Sequence, residues 1–312
     1  MSRAALVVGI DGYSHRPLLG CVRDANAIVD VLSHHHDASP NFHCRVLTDT
    51  VSRATLRIAV ANVFSKKVDI ALFYFAGHGA RTSLGGLLVT PDGEHGDEGV
   101  RMEEVIGLAN ASPAQERLII LDCCHAGAIT ELLVTASPAS LAEGVAILAA
   151  CRSNEYAVEH GRRGLFTELV EAAAAGGAAD VRGHVTMASV YGYVDLMLTA
   201  WDQRPLFLSN LSRLTCMRVA TPALNDEKLR RLAQQFPTAE HELRLDPSFE
   251  PTALPPHPVN EARFALLQQA RAARLVEPVG EEHMYFAAMR SGSCRLTPLG
   301  QFYWRAVEKG TL

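Results

Sequence analysis

The stretch that decides the fold is Val68-Asp69-Ile70-Ala71-Leu72-Phe73-Tyr74-Phe75, which runs directly into Ala76-Gly77-His78-Gly79. A second apolar run, Arg117-Leu118-Ile119-Ile120-Leu121, leads into Asp122-Cys123-Cys124-His125-Ala126-Gly127. Apolar runs of this kind are typical of strands buried on both faces of a parallel sheet. Because catalytic groups in open α/β sheets collect at the carboxyl ends of such strands, we expect His78 and Cys124 to lie close together.

Strand-like and helix-like segments alternate around these two runs. Further strands are predicted at 4–10, 41–47 and 145–150, and helices at 22–33, after Ser52, at 102–109, 165–175 and 190–197. This alternation indicates βαβ units, which build a mainly parallel α/β sheet with helices on both faces.

The character of the chain changes after residue 214. A charged helix at 227–236 precedes a proline-rich stretch that ends near Pro258, and such a stretch is typical of a linker or an extended strap. An amphipathic helix at 261–274, two strand-like pieces at 284–287 and 294–296, and a final helix at 298–309 outline a winged-helix-like module. We therefore predict a large α/β domain at 1–214, a helix and proline-rich linker at 215–260 and a small module at 261–312.

The composition of the chain argues against several classes of function. The 312 residues carry a formal net charge of -5, and from Thr221 onward eleven basic residues balance eleven acidic ones, so nucleic acid is not expected as a partner. The seven cysteines form no CxxC pair, which favours a reducing, cytoplasmic setting. No apolar run reaches the roughly 18 residues that a membrane span needs, and the apolar start of the chain is interpreted as a strand rather than a signal peptide.

The residue types at the two strand ends suit nucleophilic catalysis. A cysteine attacks a carbonyl only as a thiolate or with a base that takes its proton, and the oxyanion that forms needs backbone N–H donors. His78 precedes Cys124 by 46 residues, a spacing that fits a base and nucleophile pair of the caspase type. Gly79 and Cys124 are the candidate donors of the oxyanion hole. No metal site is predicted, because adjacent cysteines in a strand point to opposite faces.

The chain resembles the caspase and metacaspase family, and most closely its prokaryotic, metacaspase-like members. The resemblance extends from Arg3 to about Leu211 and rests on these segments in order: Gly9-Ile10 with Tyr13, Gly20-Cys21-Val22-Arg23-Asp24-Ala25, Gly77-His78-Gly79, Asp122 to Gly127, Leu148 to Arg152, and Gly164-Leu165-Phe166-Thr167. It implies a caspase-type sandwich with a six-stranded sheet. It also implies that His78 is the base and Cys124 the nucleophile of a cysteine peptidase, with Cys123 not catalytic.

The charge of the substrate pocket determines which P1 side chain we expect the protein to bind. A pocket for an arginine or lysine side chain needs carboxylates, and Asp122 and Asp24 match the positions with which the family binds a basic P1 residue. We therefore predict cleavage after Arg or Lys and little cleavage after Asp. Arg23, next to Asp24 in the sequence, would neutralise part of this pocket if it pointed inward.

Two features of the sequence bear on regulation. Asp92, Asp97 and Glu98 match the position of a calcium-responsive loop in metacaspases. An ordinary solvated acidic loop is the favoured interpretation of these residues, and no other cofactor is expected. No Lys or Arg lies between Cys124 and Val145, so an enzyme specific for basic residues cannot cut itself there. The candidate processing sites are Arg162, Arg163, Arg230 and Arg231.

Two hypotheses of different class follow. The first is a cysteine endopeptidase, made as a zymogen, whose carboxy-terminal module controls activation or recruits an upstream activating protein. The family resemblance implies a role in bacterial stress or anti-phage defence signalling. The alternative is a catalytically silent adaptor that uses the caspase fold to bind partner proteins.

Overall fold

The computed structural model of the protein describes residues 1–82, 85–94, 97–123, 141–150, 159–160, 163–198 and 204–312, with the backbone alone at 94, 97, 159 and 160. The described residues form two compact units. The first comprises Met1–Ala179 and His184–Thr221, and the second comprises Asp180–Gly183 and Pro222–Leu312.

The first unit contains the predicted alternation of strands and helices. Its described strands are β1 (Arg3–Gly9), β2 (His43–Thr48), β3 (Ile70–Ala76), β4 (Gly79–Thr82), β5 (Gly85–Glu94), β6 (Asp97–Arg101), β7 (Glu116–Asp122), β8 (Val145–Ala149), β9 (Glu159–His160), β10 (Arg163–Gly164), β11 (His184–Val185), β12 (Leu206–Asn210) and β13 (Arg218–Val219). Its described helices are α1 (Cys21–Ser33), α2 (Arg53–Phe64), α3 (Met102–Asn110), α4 (Leu165–Ala172) and α5 (Met187–Met197).

Local sequence explains where two of these helices begin. The Ser52 hydroxyl accepts a hydrogen bond from the N–H of Thr55 and so caps α2. Thr186 and Ser189 form a reciprocal capping box at the start of α5. The helix predicted at 165–175 is continued by a short π-helical turn, Ala173–Gly177, in which Gly176 has a positive φ of 145°.

The central sheet has six strands in the order β12-β8-β7-β3-β1-β2. All neighbouring pairs run parallel except β12, which is antiparallel to β8. This confirms the predicted α/β sandwich with a mainly parallel six-stranded sheet. The register aligns Ala76 at the end of β3 with Asp122 at the end of β7, so both predicted site strands end at the same edge.

Two hydrophobic layers cover the two faces of the sheet. Phe73 and Phe75 pack into one layer with α2 and α3, whereas Leu72 and Tyr74 pack into the other with α1, α4 and α5. Alternate residues of one strand thus enter opposite cores, which is why the strand is apolar at every position.

The second unit has its own core. Its helices are α6 (Asp226–Ala233), α7 (Pro258–Ala272), α8 (Met284–Met289) and α9 (Pro298–Glu308), and its strands are β14 (Glu242–Arg244), β15 (Val276–Val279) and β16 (Ser293–Leu296). The strands form one antiparallel sheet in the order β14-β16-β15. Leu229 and Phe249, from the segment predicted as a linker, are buried in the same cluster as Phe264 and Leu296. The proline-rich segment therefore packs as part of this unit.

One sequence expectation in this unit was wrong. Residues 284–287 were expected to form a strand of the wing, but they lie in helix α8, and the strand that pairs with β16 is Val276–Val279. Met and Ala favour helix, and the run lacks the alternation of a half-buried strand. The winged-helix likeness of this unit stays a prediction. Within the described segments, no helix is both long and apolar enough to cross a bilayer.

Candidate active site

His78 lies at the carboxyl edge of the central sheet, between the end of β3 and the start of β4. The N–H of Gly77 donates a hydrogen bond to the carbonyl of Asp122 across 3.3 Å, so the backbones that leave β3 and β7 remain side by side beyond the sheet. Cys123 follows Asp122 and is buried in the hydrophobic layer. Cys124, the candidate nucleophile, lies outside the described residues.

The imidazole of His78 is oriented by a main-chain carbonyl. Its Nε2 lies 2.6 Å from the carbonyl oxygen of Arg16. A carbonyl can only accept, so the proton of a neutral ring is on Nε2, and Nδ1 is the nitrogen with a free lone pair. Arg16 has a φ of 55°, in the left-handed region that non-glycine residues seldom adopt. Such strain is characteristic of functional segments.

Tyr13 holds the main chain of His78. The Tyr13 hydroxyl accepts the His78 N–H at 3.0 Å and donates to the carbonyl of Val89 at 3.2 Å. The N–H of Val89 in turn donates to the carbonyl of His78 at 2.9 Å. The two rings lie 4.5 Å apart. Burial raises the pKa of Tyr13, so it stays a neutral donor. A Cβ on Gly77 would come within 2.5 Å of the Tyr13 hydroxyl, so this position requires glycine.

The segment that carries Tyr13 and Arg16 is itself anchored. The Asp11 carboxylate accepts hydrogen bonds from the N–H groups of Cys21 at 2.8 Å and Val22 at 3.4 Å, at the first turn of α1. Asp49 accepts the N–H groups of Asp11 and Gly12, each at 3.2 Å. Carboxylates at a helix start and in a turn are well suited to fixing a loop. The segment that orients His78 is therefore itself held in place by hydrogen bonds.

The two acidic residues assigned to the P1 pocket converge on one point. A Cβ on Gly164 would lie 2.6 Å from Oδ2 of Asp122 and 3.1 Å from Oδ2 of Asp24. Asp24 and Asp122 are 1% and 7% exposed, respectively. Two residues 98 positions apart in the sequence thus form one buried acid pair, and Gly164 is the residue that leaves room for it.

Each carboxylate of this acid pair already has partners. Asp24 accepts the Gly164 N–H through Oδ2 and the Arg163 Nε–H through Oδ1, both at 2.9 Å. Asp122 accepts the hydroxyl proton of Thr167 at 2.6 Å. Because Thr167 gives its single proton to the carboxylate, the Tyr74 hydroxyl, 2.6 Å from Thr167 Oγ1, is the donor of that bond.

Burial has the largest effect on the pKa of Asp24. Desolvation raises the pKa of this carboxyl, and the hydrogen bonds from the Gly164 N–H and the Arg163 guanidinium only partly offset the rise. The neutralising arginine foreseen at Arg23 is exposed. The arginine beside Asp24 is instead Arg163, which comes 139 residues later than Asp24 in the sequence.

The remaining candidate residues are spread over both units. Gly79 opens β4 next to His78, and Arg163 lies in β10, while Arg162 lies outside the described residues. Arg230 and Arg231 lie within helix α6. Since peptidases bind extended chains, cleavage at these two arginines would require the helix to unwind.

The stretch predicted as an acidic loop lies largely in strands β5 and β6, and its Asp92 bonds a protein group. Asp92 accepts the Arg53 N–H at the first turn of α2 at 2.9 Å. Desolvation raises the pKa of Asp92, but the Thr90 side chain and the Arg53 N–H together hold it below its usual value. Glu98 lies in β6. In the described part of the chain, no group of three or more His, Cys, Asp or Glu side chains is arranged to hold a metal ion. Calcium dependence stays a hypothesis.

Sequence reasoning missed four contributors to this site: Arg16, Tyr74, Thr167 and Glu171, which pairs with Arg163. Thr167 belongs to the Gly164-to-Thr167 segment on which the family resemblance rests, so that segment was a usable signal. The Arg16 contribution is a main-chain carbonyl, which no residue type reveals. Tyr74 was assigned only to the core, because an apolar strand explains a tyrosine without a polar role.

The chain is similar to known proteins in sequence and in fold. The chain matches the family described as Caspase domain over residues 2–214. A solved protein of Geobacter sulfurreducens aligns with a TM-score of 0.53 at 15% identity, covering 72% of this chain and 99% of that one. Caspase-1 of Spodoptera frugiperda aligns with a TM-score of 0.53 at 14% identity, covering 70% and 91%. These identities establish likeness of fold alone. No curated protein matches the chain.

Proposed function

Since this chain belongs to the caspase family, we propose that it is a cysteine endopeptidase that cleaves protein substrates after arginine or lysine, with Cys124 as nucleophile and His78 as base. The observation that carries the proposal is the meeting of two strand ends: the Gly77 N–H bonds the Asp122 carbonyl at 3.3 Å. His78 follows Gly77 directly, and Cys124 is the second residue after Asp122.

The orientation of His78 defines the proton path of the proposed reaction. Nε2 is engaged by the Arg16 carbonyl, so Nδ1 takes the thiol proton of Cys124. The thiolate sulfur then forms a bond to the scissile carbonyl carbon, and the displaced electron pair moves to oxygen, where the N–H groups of Gly79 and Cys124 stabilise it. The imidazolium returns its proton to the leaving amine as the C–N bond breaks. Water then hydrolyses the thioester, with His78 again as base.

The acid pair supports the proposed specificity. Two buried carboxylates that face one point favour a cationic side chain and repel an aspartate. A substrate guanidinium presents a planar fork to a carboxylate, whereas a lysine ammonium is a point charge, so arginine is expected to exceed lysine.

Regulation is part of the same proposal. The zymogen state, the upstream activating protein and the role in bacterial stress or anti-phage defence are supported by the family resemblance. The second unit, with its own core, is the proposed contact for the activating protein. Calcium is the proposed effector of the acidic segment that holds Asp92.

The test is hydrolysis of matched fluorogenic peptides ending in Arg, Lys or Asp, with and without Ca²⁺, by the wild type and Cys124→Ala. Cys123→Ala is the matched control, because Cys123 is the adjacent cysteine and is buried in the core. We expect cleavage after Arg and Lys that disappears in Cys124→Ala and persists in Cys123→Ala. Activity confined to Asp peptides would refute the basic specificity.

Silence on every peptide, also after limited proteolysis at basic residues, would favour the adaptor alternative. The adaptor function would then be examined by capture of partner proteins on the full chain, with the second unit intact.

A further inference from the structure

The acid pair that the proposed function assigns to a basic substrate side chain already holds an arginine of this chain. Arg163 donates from Nε to Oδ1 of Asp24 at 2.9 Å. The Asp24 side chain is 2% exposed, whereas that of Arg163 is 27% exposed. The carboxylate is therefore fixed inside the fold, and the guanidinium is the partner with access to solvent.

A second carboxylate holds the outer end of the same guanidinium. Arg163 Nη2 lies 2.7 Å from Oε2 of Glu171, whose side chain is 35% exposed. Asp24 and Glu171 together raise the pKa of Arg163, so it is a permanent cation. With Asp24 released, Arg163 would still have Glu171 and water as partners. The arrangement permits the guanidinium to leave Asp24 without becoming an unpaired buried charge.

The hydrogen bond described for Asp122 differs in kind from the ion pair of Asp24. Asp122 accepts a neutral hydroxyl, that of Thr167, at 2.6 Å, and Arg163 is bonded to Asp24 and Glu171. Among the described residues, the guanidinium of Arg163 bridges Asp24 and Glu171. A second cation entering near Gly164 would have to share Asp24 with Arg163 or displace it.

We propose that Arg163 is an internal counterion that sets the affinity of the Asp24–Asp122 pair for basic groups, because an incoming guanidinium must displace it from Asp24. This inference rests on the proposed function, since it takes the acid pair to be the substrate pocket. Arg163 then acts as a specificity-determining residue: it lowers affinity for all basic side chains and penalises lysine most, because lysine cannot reproduce the planar guanidinium bond that it replaces.

The test measures binding of agmatine, a guanidinium compound without a scissile bond, by titration calorimetry. All proteins are full chains that carry Cys124→Ala, so binding is separated from catalysis. Arg163→Gln is expected to bind agmatine at least about tenfold more tightly than the parent, which corresponds to about 1.4 kcal/mol. Glu171→Gln, which removes the carboxylate that would hold Arg163 after its release from Asp24, is expected to weaken agmatine binding by a smaller factor.

Arg57 and Glu104 provide matched controls. They form an ion pair of the same kind, with Arg57 Nε 2.6 Å from Glu104 Oε1, and their side chains are 49% and 31% exposed. Arg57→Gln and Glu104→Gln are expected to leave agmatine affinity unchanged. A parallel change in these variants would mean that general charge, rather than the acid pair, governs binding, and would overturn the proposal.

Folding is monitored by thermal denaturation, because removal of Arg163 leaves Asp24 without its counterion. Agmatine should then raise the melting temperature of Arg163→Gln more than that of the parent, since a ligand stabilises the state it binds. If Arg163→Gln folds but binds agmatine no more tightly, the proposal is overturned. If it does not fold, Glu171→Gln decides, and unchanged or tighter agmatine binding there overturns the proposal.

The outcomes separate this inference from the proposed function. Tighter agmatine binding by Arg163→Gln, with no peptide cleavage by the Cys124-containing protein even after limited proteolysis at basic residues, would support the counterion role and favour the adaptor alternative. Cleavage after arginine with a KM that Arg163→Gln leaves unchanged, together with unchanged agmatine affinity, would support the peptidase and refute the counterion role.

Discussion

The hydroxyl of Tyr13 accepts the main-chain N–H of His78 at 3.0 Å, while the carbonyl of Arg16, three residues after Tyr13, lies 2.6 Å from Nε2 of the same histidine. One segment between β1 and α1 therefore controls both the backbone and the ring of the proposed base. Preorganisation of this kind is what a general base requires, because proton transfer depends on geometry before pKa.

Replacing Tyr13 with Phe removes this hydroxyl and keeps the ring. We expect kcat for an arginine peptide to fall between about 10- and 100-fold, the range for a catalytic group displaced by up to about 1 Å. KM should change little, because Tyr13 bonds His78 and Val89 rather than the acid pair. Steady-state kinetics and the pH profile of kcat are the measurements.

Tyr74→Phe is the matched control for Tyr13→Phe. Both tyrosines are buried, but the Tyr74 hydroxyl bonds Thr167, which bonds Asp122. Its loss should raise KM and leave kcat nearly unchanged. Equal effects of the two variants on kcat and KM would contradict separate roles for the two hydroxyls.

Gly164→Ala should disable the acid pair. The added Cβ would stand 2.6 Å from Oδ2 of Asp122, closer than atoms pack, so the carboxylates or α4 must shift. We expect a loss of about 1–3 kcal/mol in stability and a large rise in KM for arginine peptides. Gly192→Ala in α5, where a Cβ meets nothing within 4 Å, is the control. It should gain up to about 1 kcal/mol through helix propensity.

Asp122→Asn retains an acceptor for the Thr167 hydroxyl but removes one charge from the acid pair. Loss of a charged hydrogen-bond partner is worth about 1.5–3 kcal/mol, so KM for arginine peptides should rise about 10- to 100-fold. Asp226→Asn, which weakens the pair with Arg182 in the second unit, serves as the control and should leave KM unchanged. A normal KM in Asp122→Asn would remove this residue from the pocket.

Because Glu250 is buried, we expect the stability of the second unit to depend on pH. It is 7% exposed, and its Oε1 has no hydrogen-bond partner among the residues described. Burial raises the pKa of this carboxyl above its ordinary value of 4.5. The folded state therefore binds the proton more readily than the unfolded state, and stability is lost as pH rises from 4.5 through the raised pKa.

Glu250→Gln should remove this loss. Relative to the wild type, its urea midpoint should rise across that pH window and then stay constant above it. Glu282→Gln, at an exposed carboxylate of the same unit, should show no such trend. A difference between wild type and Glu250→Gln that shrinks with rising pH would refute the assignment.

Much of the fold followed from local sequence. The apolar strands at 70–76 and 116–122, the Ser52 cap of α2 and the βαβ alternation were all recognisable, because burial on both faces and helix capping depend on residues close in sequence. The wing of the second unit was misplaced, because a short apolar run such as 284–289 is compatible with helix or strand until its packing is known.

The sequence by itself determined which residues could do chemistry: His78 and Cys124 after two buried strands, and acidic residues at 24 and 122. Only the tertiary structure decided their partners. Arg23 directly precedes Asp24 in the sequence. Successive helix residues point about 100° apart, so Arg23 is exposed while Asp24 is buried. Arg163 supplies the bond from 139 residues away, as Arg16 does for His78 from 62. Such pairings depend on where the sheet edge brings distant segments together, and sequence adjacency carries no information about that.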